Sequence, residues 1–360
     1  MAQYFTERLQ KVFHMIFTSY NQKLAQEGLR QLELIVNNQQ NPSQPKDRAL
    51  RNDKTSRLES DIDNKEDALK IANDPEAREL GDAYALLARV YAGPRFTWEE
   101  SNFPEDNMRT YQCLHDSIRR CSPIGILQAL RIKGSITPTV EKDMQISFDE
   151  AFRIVYDYAN QGDAYCQYVI GNVFFWRDDN RISSAETMLT PPPMSWTKRI
   201  QKSLTANSMQ DRIAALQGTV PDEKLQGNAS NLAKEWFNKA LDNGLAMFQG
   251  NLRNIYIDEA DFSNARRVAR TAAELGNPAM MLYTGLDCHE NGKFEDAFTW
   301  FTKGASLGQS ESIAELADYY YHFYDAKELR STIPYDPVKA IGLYRRAATK
   351  EFSDAGYTAL

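Results

Sequence analysis

The four histidines and four cysteines of this chain are the residues that could bind a metal ion or supply a nucleophile. None of His14, His115, His289 and His322 stands at metal-ligand spacing from another histidine, cysteine or acid in a recognisable motif. We therefore predict surface or packing roles for all four histidines. Cys288 and His289 are adjacent, as a nucleophile and its base could be, but neighbouring side chains on a helix point about 100° apart. A role in core packing explains Cys288 better than a role as a nucleophile.

The other cysteines also favour packing over chemistry. Cys121 and Cys166 fall, like Cys288, at core positions of the repeat described below. Cys113 precedes Cys121 by eight residues, which is about 12 Å along a helix and too far for a disulfide bond. We predict reduced thiols.

Neither the acidic pairs nor a search for known catalytic motifs indicates a reactive centre. Glu99-Glu100 and Asp178-Asp179 lie in polar segments and are predicted to be solvated. The chain has no P-loop, dinucleotide-binding, zinc-protease or nucleophile-elbow motif. The sequence therefore predicts no catalytic residue, no metal ion and no cofactor.

Composition restricts the classes of partner. The net charge of −7 over 360 residues disfavours nucleic acid as the main ligand, because phosphate binding needs clustered Lys and Arg. No apolar run approaches the ~20 residues that an integral membrane helix needs. A secretory signal is not visible either. The expected location is cytoplasmic as the chain stands, or periplasmic or secreted if a leader has been removed.

A fixed spacing of alanine and glycine organises the chain. In five stretches an alanine is followed eleven residues later by glycine or by a substitute, and Gly244, Gly276 and Gly308 are 32 residues apart. Such a period predicts stacked helical hairpins. The stretches are Ala151 to Gly162, Ala233 to Gly244, Ala265 to Gly276, Ala297 to Gly308 and Ala340 to Glu351.

Each stretch is the second helix of a hairpin, helix B, and the glycine leads into the next helix A. Large residues, including Trp236 and Trp300, stand three and four positions after the alanine, and small residues stand seven and eight after it. These positions share one helical face, so the large side chains should fill a core and the small ones should allow close helix approach.

The pattern resembles the Sel1-like repeat family. The matching segments are AKEWFNKALDNG (233–244), AFTWFTKGASLG (297–308), AIGLYRRAATKE (340–351), SIAELADYY (312–320) and AYALLARVY (83–91). The resemblance implies an all-α fold, an α/α solenoid of Sel1-like or TPR-like hairpins. It also implies an adaptor or assembly scaffold for proteins, of a kind common in bacteria.

The sequence divides into four segments. Residues 1–64 form an N-terminal helical region that caps the solenoid, with a polar linker at 37–57 and a break predicted at Gly28. Degenerate repeats follow at 65–176, where Pro75 suggests an interruption. Residues 177–230 form an insertion, in which Trp196 to Gln217 could be helical, and regular repeats occupy 231–360.

The outward side of helix A is the predicted partner-binding surface. The position six residues into this helix is mostly polar, and tyrosines lie near it. Tyr and Arg are common anchors in protein interfaces. The alternative is a solvated helix face with ordinary tyrosines. The predicted partner-binding residues are Arg89, Tyr168, Asn172, Asn254, Tyr283, Asp318 and Tyr319.

Three functions remain open. The leading one is a non-enzymatic scaffold that binds a protein or peptide through its concave helical surface. An immunity-type protein that neutralises a cognate bacterial toxin is the first alternative. The second is an enzyme with a site in the insertion or the N-terminal region. The unfinished hairpin at Leu360 suggests self-association, or a fragment of a longer protein.

Overall fold

Helices make up every regular element that the structure describes. The computed structural model describes residues 3–40, 64–131, 143–189, 222–247, 249–324 and 333–354. Within these ranges there is no strand, so the predicted all-α fold is confirmed. The α-helices are α1 (Glu7–Phe13), α2 (Gln22–Gln40), α3 (Lys65–Asn73), α4 (Pro75–Tyr91), α5 (Asn107–Arg119), α6 (Pro123–Arg131), α7 (Phe148–Asn160), α8 (Ala164–Phe175), α9 (Ser183–Leu189), α10 (Asp222–Asp242), α11 (Gly250–Asp258), α12 (Phe262–Glu274), α13 (Pro278–Glu290), α14 (Phe294–Ser306), α15 (Ser310–Tyr321) and α16 (Pro337–Asp354).

The chain forms two compact units. Unit 1 comprises Met1–Leu9, Leu34–Ala88 and Met108–Asn243, and unit 2 comprises Gln10–Glu33, Arg89–Asn107 and Gly244–Leu360. In unit 1, α7 packs between α6 and α8, and α8 packs against α10. In unit 2, each helix from α11 to α16 packs against the next one in the chain. The four-segment division of the sequence stays a prediction.

Glycine ends helix B, as the repeat predicts. Gly162, Gly244, Gly276 and Gly308 have φ values of +97°, +87°, +100° and +92°, in the left-handed region where only glycine avoids a steric penalty. After α12 the Gly276 N–H bonds Ala273 O and the Asn277 N–H bonds Ala272 O, both at 3.0 Å. This is the Schellman pattern, which uses carbonyls that the helix end leaves unpaired.

The residue after the glycine starts helix A. The Asp163 carboxylate accepts from the Cys166 N–H at 2.8 Å, and the Asn277 side chain accepts from the Met280 N–H at 3.1 Å. Gln309 caps α15 in the same way. Each cap satisfies one of the N–H groups that the first helical turn leaves unpaired. Turn and cap together reverse the chain and set the hairpin.

Glycine on helix A admits an aromatic ring from helix B. A Cβ placed on Gly171 would lie 2.6 Å from the Phe237 ring, and one on Gly285 would lie 2.5 Å from the Phe301 ring. Both distances are shorter than any real contact, so the ring requires glycine at these points. At the equivalent repeat positions of the α11 and α12 pair, the sequence has Arg253 in place of the glycine and Ala269 in place of the phenylalanine.

The N-terminal helices break at a different place from the predicted one. A π-helical turn, His14–Thr18, continues α1, and the chain then reverses at Tyr20, whose φ is +48°. Gly28, the predicted break, lies inside α2, where a Cβ would come 2.7 Å from Ile16. Its role is close packing. Helix α2 also runs to Gln40, into the predicted linker, and residues 41–57 lie outside the described ranges.

Three helix boundaries bear on the predicted segments. Pro75 begins α4, since proline suits a first helical turn, and the predicted interruption of the array there stays a prediction. Residues 222–230 of the predicted insertion belong to α10, and Trp196 to Gln217 lies outside the described residues. Where Glu351 replaces the glycine, α16 continues to Asp354.

Three acidic residues that were predicted to be exposed are buried in the structure. Asp178, Asp179 and Glu100 were predicted to be solvated, but all three are buried. Arg177 pairs with Asp179 at 3.1 Å, and burial raises the pKa of the Asp179 carboxyl. The four cysteines are buried, and none of them forms a disulfide bond with another.

Candidate interaction surface

The predicted partner-binding residues occupy unlike environments. In unit 1, Tyr168 is only 5% exposed, and its ring lies 6.0 Å from that of Phe237. In unit 2, Tyr319 is 0% exposed. The expected surface position is therefore wrong for these two tyrosines. The physical reason for Tyr168 is that α8 is apolar on nearly all sides and lies inside unit 1.

Arg89 and Asn172 are half-buried and bond locally. The Arg89 guanidinium donates from Nε to Phe96 O at 2.8 Å. The Asn172 amide donates to Tyr168 O at 3.1 Å, one turn earlier in α8. Both side chains thus contribute to the stability of their own units, and their predicted role in partner binding is not tested by these contacts.

Asn254 and Tyr283 are the exposed members of the predicted set. They lie on α11 and α13 of unit 2. The guanidinium of Arg253 stacks over the Tyr283 ring, with 3.8 Å from Cζ to the ring centroid. This cation–π contact holds a tyrosine at the surface of unit 2, and such contacts contribute about 0.5–1 kcal/mol at exposed sites.

Two carboxylates on α15 are bonded by phenols from other segments. The Tyr324 hydroxyl donates to Glu315 Oε2 at 2.9 Å, and the Tyr344 hydroxyl donates to Asp318. Glu315 and Asp318 are three residues apart and share a face of α15. Asp318 is the predicted residue here. Glu315, Tyr324 and Tyr344 were not predicted, because they meet only through the folding of the α15–α16 hairpin.

The ionisation of these groups follows from their partial burial. Burial raises the pKa of the Glu315 carboxyl, and the Tyr324 hydroxyl bonded to it opposes that change. Burial also raises the pKa of Tyr324 and Tyr344, and the neighbouring carboxylate raises each further. The phenols therefore keep their protons and act as donors.

His289 completes the cluster from α13. Its Nδ1 shares a hydrogen bond with the Tyr319 hydroxyl at 2.7 Å, and its ring lies 4.2 Å from the Tyr324 ring. The packing role predicted for this histidine agrees with these contacts. We call Glu315, Asp318, His289, Tyr324 and Tyr344 the phenol–carboxylate cluster.

Large apolar side chains are exposed in the same hairpin. Among the described residues of the 321–341 segment, five such side chains have exposed fractions from 47% to 80%. The Tyr321 and Tyr335 rings lie 6.1 Å apart, and the His322 ring lies 5.4 Å from that of Tyr335. The run Tyr319-Tyr320-Tyr321 was a visible signal in the sequence, but its exposure was not. We call these five residues the aromatic patch: Tyr321, Phe323, Tyr335, Val338 and Ile341.

Unit 1 contains a second set of converging ionisable groups. The fully buried Arg78 contacts Asp82 at 3.1 Å and donates to Tyr4 O at 2.6 Å and Ala72 O at 2.9 Å. The Tyr4 hydroxyl and the Ser122 hydroxyl donate to Asp82 Oδ1 at 3.2 and 2.6 Å. This set attaches Tyr4 of the N-terminal segment to α4 inside unit 1, and its members are buried.

Neither a metal-ligand group nor a membrane-spanning helix occurs among the described residues. No group of three His, Cys, Asp or Glu side chains in them could hold a metal ion. None of the helices in the described ranges combines the length and apolar character that crossing a bilayer requires.

Solved structures that are similar to this chain include two helical-repeat proteins. A Sel1 repeat protein from Oxalobacter formigenes is 13% identical, covering 80% of this chain and 97% of that one, with a TM-score of 0.36. A protective antigen present in uropathogenic Escherichia coli strains, which displays an SLR fold, is 14% identical, covering 95% of this chain and 60% of that one, with a TM-score of 0.32. No protein-family model and no curated protein sequence matches. At these scores, the Sel1-like register of the chain's own hairpins is what indicates the fold.

Proposed function

We propose that this chain is a non-enzymatic helical-repeat scaffold, and that it binds a protein or peptide partner through the α13–α15–α16 surface of unit 2. The aromatic patch carries the proposal. Clustered exposed apolar side chains on a folded protein usually mark an interaction site. Tyr is, moreover, among the residues that contribute most to binding at protein interfaces.

The neighbouring polar groups support a protein ligand. The phenol–carboxylate cluster offers oxygen atoms on partly buried side chains, and the Lys339 ammonium lies 4.1 Å from the centroid of the Tyr320 ring, to whose hydroxyl it also donates. An apolar centre with polar groups around it is the usual arrangement of a protein interface. Asn254 and Tyr283, which are exposed on two other helices of unit 2, are proposed as further partner-binding residues.

The test begins by identifying the partner. A photo-crosslinking phenylalanine derivative replaces Tyr335 in the full chain, and the crosslinked protein is identified by mass spectrometry. That partner is then purified, and its dissociation constant is measured with the parent and with the triple variant Tyr321→Ser, Phe323→Ser, Tyr335→Ser. We expect about tenfold or weaker binding for the variant, as loss of interface anchors gives.

A matched control removes equally exposed apolar groups elsewhere in unit 2. The variant Phe262→Ser, Leu275→Ser changes α12 and its C-terminal cap. The proposal requires that this control bind like the parent. Equal affinity of parent and triple variant, or equal loss in the control, would refute the proposed surface.

The same crosslink distinguishes the alternative functions. A crosslinked toxin whose activity the chain suppresses would identify the immunity-type protein. A product formed from the captured partner would identify an enzyme. Crosslinks between two copies, together with a dimer mass in light scattering, would assign the aromatic patch to self-association.

A further inference from the structure

Tyr20 fills the glycine turn between α12 and α13 of unit 2. A Cβ on Gly276 would lie 3.4 Å from Cδ2 of the Tyr20 ring, which is ordinary van der Waals contact. The ring meets Trp98 edge to face at 5.8 Å between centroids and is buried. The left-handed backbone of Tyr20 directs the chain so that the ring reaches this turn. The chain thus presents an aromatic side chain to one of its own repeat turns.

The next turn of unit 2 has the same construction. Leu307-Gly308-Gln309 repeats Leu275-Gly276-Asn277 at a distance of 32 residues. The Gly308 N–H bonds Ala305 O at 3.1 Å, and the Gln309 N–H bonds Gly304 O at 3.1 Å, which is the Schellman pattern of the earlier turn. A side chain that fits one turn therefore meets the same backbone at the other.

A cavity of about 500 Å³ lies beside this second turn. Its volume is within the range of small-ligand sites, roughly 300–1,000 Å³. Leu307 and Ile313 give it an apolar wall, while Gln22, Glu100, Asn102, Arg346 and Thr349 add polar groups. Gln22 comes two residues after Tyr20, so the segment that fills the first turn also borders the second.

We infer that this cavity is a binding site for an aromatic side chain, of the tyrosine type, presented by a peptide segment of another protein. The Gly308 turn would receive the ring as the Gly276 turn receives Tyr20. The lining suits the rest of such a ligand, because the Glu100 carboxylate accepts N–H or O–H donors and the Arg346 guanidinium donates to carbonyl oxygens. The side-chain amides of Gln22 and Asn102 can do both.

The site is distinct from the aromatic patch. The patch consists of Tyr321, Phe323, Tyr335, Val338 and Ile341, whereas the cavity is an open depression bordered by the Gly308 turn, the 99–102 segment and α16. Each can therefore be removed without changing a residue of the other. Failure of the cavity to bind an aromatic probe leaves the crosslinking result at Tyr335 unaffected.

N-acetyltyrosinamide is the probe, and N-acetylalaninamide is the matched ligand control. Both are titrated into the isotope-labelled full chain, with the amide resonances of Gly308 and Gln309 followed by NMR. We expect a saturable shift with the tyrosine probe and none with the alanine probe. Leu307→Trp, which fills the cavity, should weaken binding about tenfold or more. The repeat-equivalent Leu275→Trp should leave the dissociation constant within about twofold of the parent value.

A second variant controls for the possibility that Leu307→Trp disturbs folding. Thr349 is exposed on α16, so Thr349→Trp fills the cavity without changing the core, and thermal melts confirm that each variant is folded. The inference is overturned if the tyrosine probe gives no saturable shift, if the alanine probe binds equally well, or if folded Thr349→Trp binds like the parent.

Discussion

Unit 1 and unit 2 differ in how deeply their hydrogen-bonded polar and aromatic side chains are buried. In unit 1, Arg78 and Asp82 are buried together, and Arg78 donates to the Tyr4 carbonyl oxygen while Asp82 accepts from the Tyr4 hydroxyl. In unit 2, Glu315 and Asp318 bond tyrosines on half-buried positions beside the exposed aromatic patch. The first arrangement stabilises the fold. The second leaves groups at the surface, where a partner can reach them.

The strongest test of this difference removes one member of each set. Arg78→Met should destabilise the chain by about 3–5 kcal/mol, because Asp82 then stays buried without its charge partner. Tyr344→Phe in unit 2 removes one hydrogen bond to a more accessible carboxylate and should cost only about 1 kcal/mol. Urea unfolding of both variants gives the two free energies. Equal losses would abolish the distinction between the units.

The tryptophans at equivalent repeat positions, Trp236 in unit 1 and Trp300 in unit 2, give a second test of this difference. Both were predicted to be buried, and Trp236 is 3% exposed while Trp300 is only half-buried. Tyr156 covers the Trp236 ring edge to face at 5.5 Å. Trp236→Ala should cost about 3–5 kcal/mol in the free energy of unfolding, and Trp300→Ala clearly less. A larger loss for Trp300 would contradict the burial described here.

Replacing the glycines that face aromatic rings should destabilise the two units by similar amounts. Gly171→Ala in unit 1 and Gly285→Ala in unit 2 each force a methyl group into a phenyl ring, at a cost of about 1–3 kcal/mol. Gly342→Ala on α16 is the control, because a Cβ there meets nothing within 4 Å. It should stabilise the helix by about 0.5–1 kcal/mol. Thermal or urea melts that rank Gly342→Ala with the other two would disprove the close approach.

The pH dependence of stability should be stronger for the buried Asp82 than for the half-buried Glu315. Burial raises the pKa of Asp82 to about 6, although Arg78 and the Ser122 hydroxyl lower it in part. The folded chain therefore binds this proton more tightly than the unfolded chain. The contribution of Asp82 to the free energy of unfolding is then largest below the ordinary aspartate pKa, and it falls as the pH rises from about 4 to about 6.

Two isosteric variants measure this effect. The difference in unfolding free energy between the parent and Asp82→Asn should increase as the pH is lowered from about 7 to about 4. For Glu315→Gln the same direction is expected with a smaller amplitude, because Glu315 is less buried. A difference that does not change with pH for Asp82→Asn would show that its pKa is not raised.

Local backbone rules made the repeats predictable. An alanine and a glycine eleven residues apart fix where helix B begins to pack and where it must end, and the four left-handed glycines follow from that. The break at Tyr20 had no such signal, because a tyrosine with positive φ is held there by contacts with Trp98 and Gly276. Asp179 could not be placed either, since its burial depends on tertiary packing.

The candidate site was only partly accessible to sequence reasoning. Tyr319 is seven residues into helix A, almost two full turns from the buried first position, so its burial follows from the helical period. Tyr283, three residues into the helix, is only about 60° from that position by the same count, so its exposure does not follow from the helical period. The meeting of His289, Glu315 and Tyr324 has no counterpart in the sequence, because they come from three separate segments.

The burial of all four cysteines has a practical consequence for labelling. Cys113, Cys121, Cys166 and Cys288 are inaccessible, and burial raises the pKa of Cys121 to about 11 and that of Cys166 and Cys288 above its ordinary value. Maleimide reagents attack the thiolate, so these native thiols should react slowly at neutral pH. A cysteine introduced on an exposed helix face would then carry a fluorophore or spin label at one chosen position, in the otherwise native chain.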